Sequence, residues 1–376
     1  MDTIAFTNAR VITGTGELFP GTVVIEGSRI AGVGKDLPRK PEWQIIDLHG
    51  AYLAPGLIDL HLHGALGHDF TQAGPAEIER ILKYHQAGGS TSILATIVCA
   101  PMEELTAARL RLARFRETRA DSGLLGIHLE GPYISPDRVG ALNKKWIRSF
   151  NQEEFGKLAQ APVRTVTIAP ERVPCSRLSS FKDISFSLGH TNADYETTRQ
   201  AIAEGIHYTT HFPNALPSLH HRRPGAALAL LEAEEVYLEL IADGVHICPE
   251  MLKFLYKVKG PERIILVSDA APLLGSSPGK HALWGRRATL TEDRVCFEDG
   301  TLAGSGISLL EAVRRMIGFT GCKPCEAFLM AASNPAKRIN IQDRKGEISP
   351  DRDADLLILG QDLELVRVMV RGKFLT

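Results

Sequence analysis

Two histidines one residue apart, His61 and His63, end an apolar run that begins Pro55-Gly56-Leu57-Ile58-Asp59-Leu60. In an extended strand alternate side chains share a face, so both imidazoles point the same way. At that spacing they can bind one divalent cation, and they stand where a strand stops, which is where barrel enzymes place their chemistry. An isolated His-x-His is more often a pair of satisfied or exposed histidines. The rest of the chain argues against that here. Other apolar runs end in His128-Leu129-Glu130-Gly131-Pro132, Gly189-His190-Thr191, His211-Phe212-Pro213-Asn214-Ala215 and Ser268-Asp269-Ala270, and Asp243-Gly244-Val245-His246 follows another.

His61, His63, Glu130, His190 and His211 make a ligand set of imidazoles plus a carboxylate, with no thiolate. That set favours a hard or borderline divalent ion, zinc before others. Zinc with three protein ligands keeps a coordination position for water and draws that water's pKa toward neutrality. Asp269 would take the proton as general base and return it to a leaving group. Hydrolysis of an amide or related C–N bond is the chemistry this arrangement predicts. The plainer account of Asp269 is a helix N-cap after the last strand.

These residues need a scaffold that brings strand ends together. Short apolar runs alternate with amphipathic stretches through the middle of the chain, the pattern of βα units. Strands are expected at 57–63, 91–97, 124–130, 165–169, 184–190, 206–211, 236–242 and 264–269. Helices are expected at 77–86, 102–119, 193–203 and 250–258. Eight strands close a (β/α)8 TIM-like barrel, whose strand ends converge on one face. The fold class expected is α/β. Residues 1–53 and 343–376 read instead as short strands broken by turn signals, such as 22–25, 29–33, 354–359 and 365–370. Both termini would build one small β-sandwich domain, with residues 54–342 as the catalytic barrel inserted between its halves.

Composition excludes several classes. Lys and Arg number 43 against 44 Asp and Glu, so no polyanion-binding surface or acidic tail is indicated and no nucleic-acid partner is expected. No stretch approaches the roughly 18 apolar residues of a membrane span, and the opening residues lack the pattern of a signal peptide. A cytoplasmic protein is the expectation. Six cysteines spread over 376 residues do not read as a disulfide framework. The one close pair, Cys322 and Cys325, has no second pair to complete a zinc site, and Pro324 between them suits the first turn of a helix. Gly275–Ala288 reads as the longest linker.

These motifs resemble the amidohydrolase superfamily and, more narrowly, the N-acetylglucosamine-6-phosphate deacetylase family. The resemblance spans nearly the whole length, through PGLIDLHLHG, HLEGPY, GHTNA, HFPNALPSLHHRRPG, ADGVH, SDA, LAGS and ASNPA. It implies that Glu130, His190 and His211 hold the principal zinc, that Asp269 is the acid/base, and that His61 with His63 offers a second metal position. It implies substrate contacts from Ala141, Asn214, Ala215, His246, Leu302, Ala303 and Gly304. Arg222 would reach the phosphate of a neighbouring subunit's substrate, which implies a homodimer. An arginine fork in the basic loop His220-His221-Arg222-Arg223 suits phosphate independently, although such a loop also reads as plain solvated surface. His246 could equally be a supporting histidine.

Two departures stand out. Leu142 occupies the place where relatives usually carry a substrate-contacting histidine, and a leucine donates no hydrogen bond, which leaves the sugar open. Pro213 stands in a loop where relatives carry other residues. Deacetylation of N-acetylgalactosamine-6-phosphate, or of another N-acyl amino sugar or amino acid, is therefore an alternative. A cyclic amidase would use a carboxylated lysine where this chain has Glu130. A non-catalytic scaffold would be expected to have lost ligands, and none is missing.

Overall fold

The computed structural model describes residues 3–35, 37 and 40–375; Met1 and Asp2 of the opening segment lie outside them. In the middle of the chain, parallel strands follow one another around a ring. Ile58–Asp59 pairs with Ser92–Val98, then come Leu124–Glu130, Val163–Ile168 and Ser185–Leu188. Leu188 bridges Thr209, and Tyr208 bridges Tyr237, so the sixth position is held by isolated bridges rather than a full strand. Leu238–Ile241 pairs with Ile264–Val267. A parallel bridge from Leu62 to Ala270 then returns to the start, reinforced by Asp269 N–H donating to His61 O at 2.9 Å. Each expected strand position is occupied.

The interior is layered. Ile58, Leu60, Leu94, Tyr208, Ile241, Ile265 and Val267 form an apolar plug. A hydrogen-bonded belt adjoins it: His128 Nε2 meets Thr167 Oγ1 at 2.7 Å, Thr167 meets Thr210 at 2.7 Å, and Thr210 meets Ser187 at 2.6 Å. Strand side chains on the opposite face, such as Ile93, Ala95 and Ile97, pack in the large outer cluster with the helices. Burial on both faces is what a parallel sheet requires.

The first barrel segment departs from the continuous strand expected at 57–63. Ile58 and Leu60 face the inner plug, whereas Leu57 and Leu62 belong to the outer cluster. Alternation therefore breaks between Leu60 and Leu62, and this break turns His61 and His63 inward. Helices at Pro75–Ala87, Met102–Thr118, Tyr195–Ala203 and Pro249–Lys259 lie where the periodicity predicted them. Pro324 opens the helix Pro324–Phe328, with Cys322 and Cys325 both buried and free.

Strands from both termini join. The order is Lys373–Phe374, Leu365–Val370, Leu356–Leu359, Tyr52–Pro55, Thr3–Ile12, Leu18–Glu26, Arg29–Gly34, with Gln44–Asp47 added on Thr3–Ile12. These described strands form one branched sheet around its own core of Phe6, Val11, Val23, Ile25, Leu356 and Ile358. The expected sandwich is thus seen as a single sheet.

One expectation is corrected outright. The segment read as a linker, Gly275–Ala288, carries strand: Gly279–Leu283 and Arg286–Leu290 open a four-stranded antiparallel sheet completed by Arg294–Phe297 and Leu302–Ser305. Its apolar side chains alternate too briefly, and between too many charges, to signal strand in the sequence. Ser305 bridges Ala270, which ties this sheet to the last barrel strand. No helix among the described residues is long and apolar enough to cross a membrane.

Candidate metal centre and active site

The barrel's strand ends deliver their side chains by sharp backbone turns. His190, His211, Ala215 and Asp269 have φ of 48°, 31°, 56° and 48°. This left-handed region is unfavourable for residues with a Cβ, and such strain gathers where structure around it dictates a side chain's direction. Backbone bonds hold the turns: Ser135 N–H donates to His190 O at 2.8 Å, and Ser305 N–H to Asp269 O at 2.8 Å.

Glu130, His190 and His211 converge. Glu130 Oε1 lies 3.0 Å from His190 Nε2 and 3.1 Å from His211 Nε2, and the two imidazole nitrogens are 2.9 Å apart. His190 Nδ1 donates to the Arg138 carbonyl at 2.8 Å, so in the neutral ring Nε2 presents a lone pair to this cluster. A carboxylate and imidazole lone pairs facing one another is an arrangement that a cation relieves. Ligand atoms of a tetrahedral zinc stand roughly 3.3 Å apart for bonds of about 2.0–2.1 Å, so these spacings need open by only a few tenths of an ångström. His61, His63 and Glu130 form a second group of the same kind. His61 Nε2 is buried with no hydrogen-bond partner, 3.6 Å from Glu130 Oε1 and 3.4 Å from Asp269 Oδ1. The residues present fit a divalent ion.

Asp269 completes the cluster, with Oδ1 3.1 Å from His63 Nε2 and Oδ2 4.0 Å from His246 Nε2. Burial would raise its pKa, but the charges of His61, His63 and His246 outweigh this and hold it below the usual carboxylate range. Glu130 is likewise held well below that range against its burial, by bonds from His190 and His211 and the charge on His61. Both are ionised at neutral pH.

Other groups fix these side chains. Glu239 Oε1 accepts from His61 Nδ1 at 2.8 Å and from His211 N–H at 2.8 Å, while its second oxygen accepts from the Tyr208 hydroxyl. Burial opposes the His61 cation, yet Glu239, with Asp269 and Glu130, prevails and pushes its pKa up to about 10. A carboxylate behind a histidine orients the ring and raises its basicity as a ligand. Asp243 does the same for His246, accepting from Nδ1 at 2.5 Å and from the backbone N–H of Val245 and His246 at 2.8 Å each. His128 packs edge-on to His61, ring centres 4.6 Å apart, and burial followed by repulsion from His61 keeps it neutral.

A cavity of about 340 Å³ opens onto this cluster. Ala141, Asn214, Ala215, His246, Leu302, Ala303 and Gly304, all singled out in the sequence, line it together with His63, Glu130, His190, His211 and Asp269. Leu142 lines it too and is buried. His61 lies deeper, outside the lining. Arg222 is the one residue singled out in the sequence that joins neither the ligand cluster nor the cavity lining: it is exposed, with Nη1 2.8 Å from His221 Nε2. Sequence reasoning missed Glu239, Trp284 and Thr301. A lone carboxylate inside the apolar run Leu238-Glu239-Leu240-Ile241 was the available signal for the first. Trp284 and Thr301 belong to the sheet that had read partly as linker.

The amidohydrolase family matches residues 52–375. N-acetylglucosamine-6-phosphate deacetylase of Bacillus subtilis (strain 168) is 34% identical over 363 residues, which covers 94% of this chain and 92% of that protein. N-acetylgalactosamine-6-phosphate deacetylase of Escherichia coli O157:H7 is 33% identical over 329 residues, 85% of this chain and 87% of that protein. A solved structure of N-acetyl-D-glucosamine-6-phosphate deacetylase from Mycobacterium smegmatis is an aspartate-to-alanine variant in complex with N-acetyl-D-glucosamine-6-phosphate. It matches with a TM-score of 0.92 at 32% identity, over 100% of this chain and 99% of that chain. By these matches over nearly its whole length, this chain belongs to the amidohydrolase family.

Proposed function

We propose that this protein is a metal-dependent deacetylase that hydrolyses the N-acetyl group of an amino sugar 6-phosphate, N-acetylglucosamine-6-phosphate first. The observation that carries this reading is the convergence of Glu130, His190 and His211 with an ionised Asp269 in one cavity. A bound divalent ion, zinc in our reading, supplies Lewis acidity to the amide carbonyl and to water. Asp269 accepts the proton of the attacking water and returns it to the departing amine nitrogen. His246, with Nδ1 engaged by Asp243, aims Nε2 toward Asp269 and the substrate. Asn214, Ala215 and the Leu302–Gly304 strand meet the sugar.

Two ions per chain is the reading the ligand set supports, because Glu130 turns Oε1 toward His190 and His211 and Oε2 toward His63, 3.7 Å away. Arg222, exposed and outside the lining of its own cavity, suits a role across a homodimer interface on a partner's substrate phosphate. Residues 54–342 act as the catalytic unit in this reading, with 1–53 and 343–376 as the small β-domain. A reducing cytoplasmic setting is supported by six free cysteines.

Acetate release from N-acetylglucosamine-6-phosphate, with and without chelator, tests the reading. Metal-independent release, or no release from any phosphorylated N-acetyl amino sugar, would end it. Leu142 and the similarity to a galactosamine-type deacetylase favour N-acetylgalactosamine-6-phosphate as the second substrate to assay.

A further inference from the structure

We infer that Trp284 sets the size of the acyl group this enzyme accepts, as the wall between the metal pocket and a second, adjoining cavity. The inference rests on the deacetylase reading above. The second cavity has a volume of about 480 Å³, and Asp69, Val98, Cys99 and Trp146 are among its lining residues. It shares only Ala141, Leu142 and Trp284 with the metal pocket.

The lining of the metal pocket mixes polar and apolar groups. Asn214, His246 and Thr301 offer hydrogen bonds, which sugar hydroxyls need. Ala141, Leu142 and the indole face offer none, which suits the alkyl end of an acyl group and would leave a hydroxyl unsatisfied. The indole also stands beside the reacting centre, its ring centre 5.4 Å from that of His63 at an interplanar angle of 80°. An acyl chain that begins at the metal cluster and runs toward Ala141 and Leu142 meets Trp284, which lines both cavities with them.

The wall is built firmly. Trp284 and Gly285 form the tip of the hairpin joining Gly279–Leu283 to Arg286–Leu290, with φ of 48° and 76°. A bulky residue in left-handed backbone is strained, so contacts must hold it there. The indole N–H donates to the Asp69 carboxylate, which also accepts from Thr71 N–H at 2.5 Å. On the other side Leu142 is buried among Val98, Cys99 and Ile134.

The test compares kcat/KM for N-acetyl, N-propionyl and N-butyryl glucosamine-6-phosphate in the metal-loaded enzyme, in Trp284→Ala and in Trp284→Leu. Wild type is expected to reject the butyryl substrate by about tenfold or more, and Trp284→Ala to raise the butyryl-to-acetyl ratio by about tenfold or more. Equal use of all three acyl groups by wild type, or an unchanged ratio in a metal-replete Trp284→Ala, would overturn the inference. If Trp284→Ala loses metal or fails to fold, the milder Trp284→Leu decides at the same position: a raised ratio supports the inference and an unchanged one overturns it. Wild type that cleaves no acetyl substrate would instead refute the deacetylase reading itself.

Discussion

Replacing Glu239 by glutamine removes one negative charge from behind the ligand cluster while conserving volume. The amide oxygen can still accept from His61 Nδ1 and His211 N–H, and the Tyr208 hydroxyl can rotate to accept from the new NH₂ group. What is lost is charge assistance. Hydrogen bonds to charged groups contribute about 1.5–3 kcal/mol against about 0.5–1.5 for neutral ones. The bond from His61 strengthens when the ring shares charge with a bound cation, so the loss falls on the metal-bound state. Outer carboxylates of this kind are worth roughly 10–100-fold in affinity, about 1.4–2.7 kcal/mol. The same carboxylate holds a proton on metal-free His61, whose pKa stands at about 10, and that proton competes with metal. Glu239→Gln weakens this competition as well, so its affinity deficit should be smaller at pH 6.5 than at pH 8.5. Zinc affinity by chelator competition at both pH values, with circular dichroism to check folding, measures it. A folded Glu239→Gln variant whose zinc affinity relative to wild type is the same at pH 6.5 as at pH 8.5 would count against this role of Glu239.

Three further outcomes are expected. Asp269→Asn, unable to accept a proton, should lower kcat by about 10²–10⁴-fold while the protein still binds metal through Glu130, His190 and His211; near-normal kcat would remove Asp269 from the proton-transfer role. Arg222→Ala should raise KM for phosphorylated substrates alone, and mixing it with Asp269→Asn should restore activity through hybrid dimers; no recovery after subunit exchange would place Arg222 outside a shared site. His85 is buried and its Nε2 meets Gly64 O at 2.9 Å, and burial pulls its pKa from 6.5 down to about 4 against that bond. The folded protein thus binds fewer protons than the unfolded chain between these values, and stability should be full above pH 6.5 and fall by about 3 kcal/mol toward pH 4. Denaturant titrations at stepped pH check this, and a stability that His85→Gln leaves equally acid-sensitive would contradict it.

The barrel and its ligands were legible because both signals are local: apolar runs of strand length, six of which end in or lead into a residue with metal or acid–base chemistry. Eight such runs locate the strand positions and the face on which they end. The inward turn of His61 and His63 was not legible in its true form, since it comes from a break in alternation at Leu60 imposed by ring closure through the Leu62–Ala270 bridge. Glu239 was missed because a single carboxylate in an apolar strand acquires meaning only once His61, distant in sequence, lies 2.8 Å away. Trp284 escaped for another reason. Its hairpin is short, rich in exposed charge and turned by Trp-Gly, which lacks the Asn-Gly or Asp-Gly signature of tight hairpins. Leu142 was visible as a departure, but the cavity behind it could be found only in three dimensions.

The central claim is that His61, His63, Glu130, His190 and His211 serve one metal-dependent hydrolytic site. Elemental analysis of the purified protein, paired with acetate release during chelation and stepwise return of zinc, tests it most directly. Bound divalent metal is expected, with activity that disappears on its removal and recovers in proportion to the zinc restored. Full acetate release by thoroughly metal-free protein would contradict it.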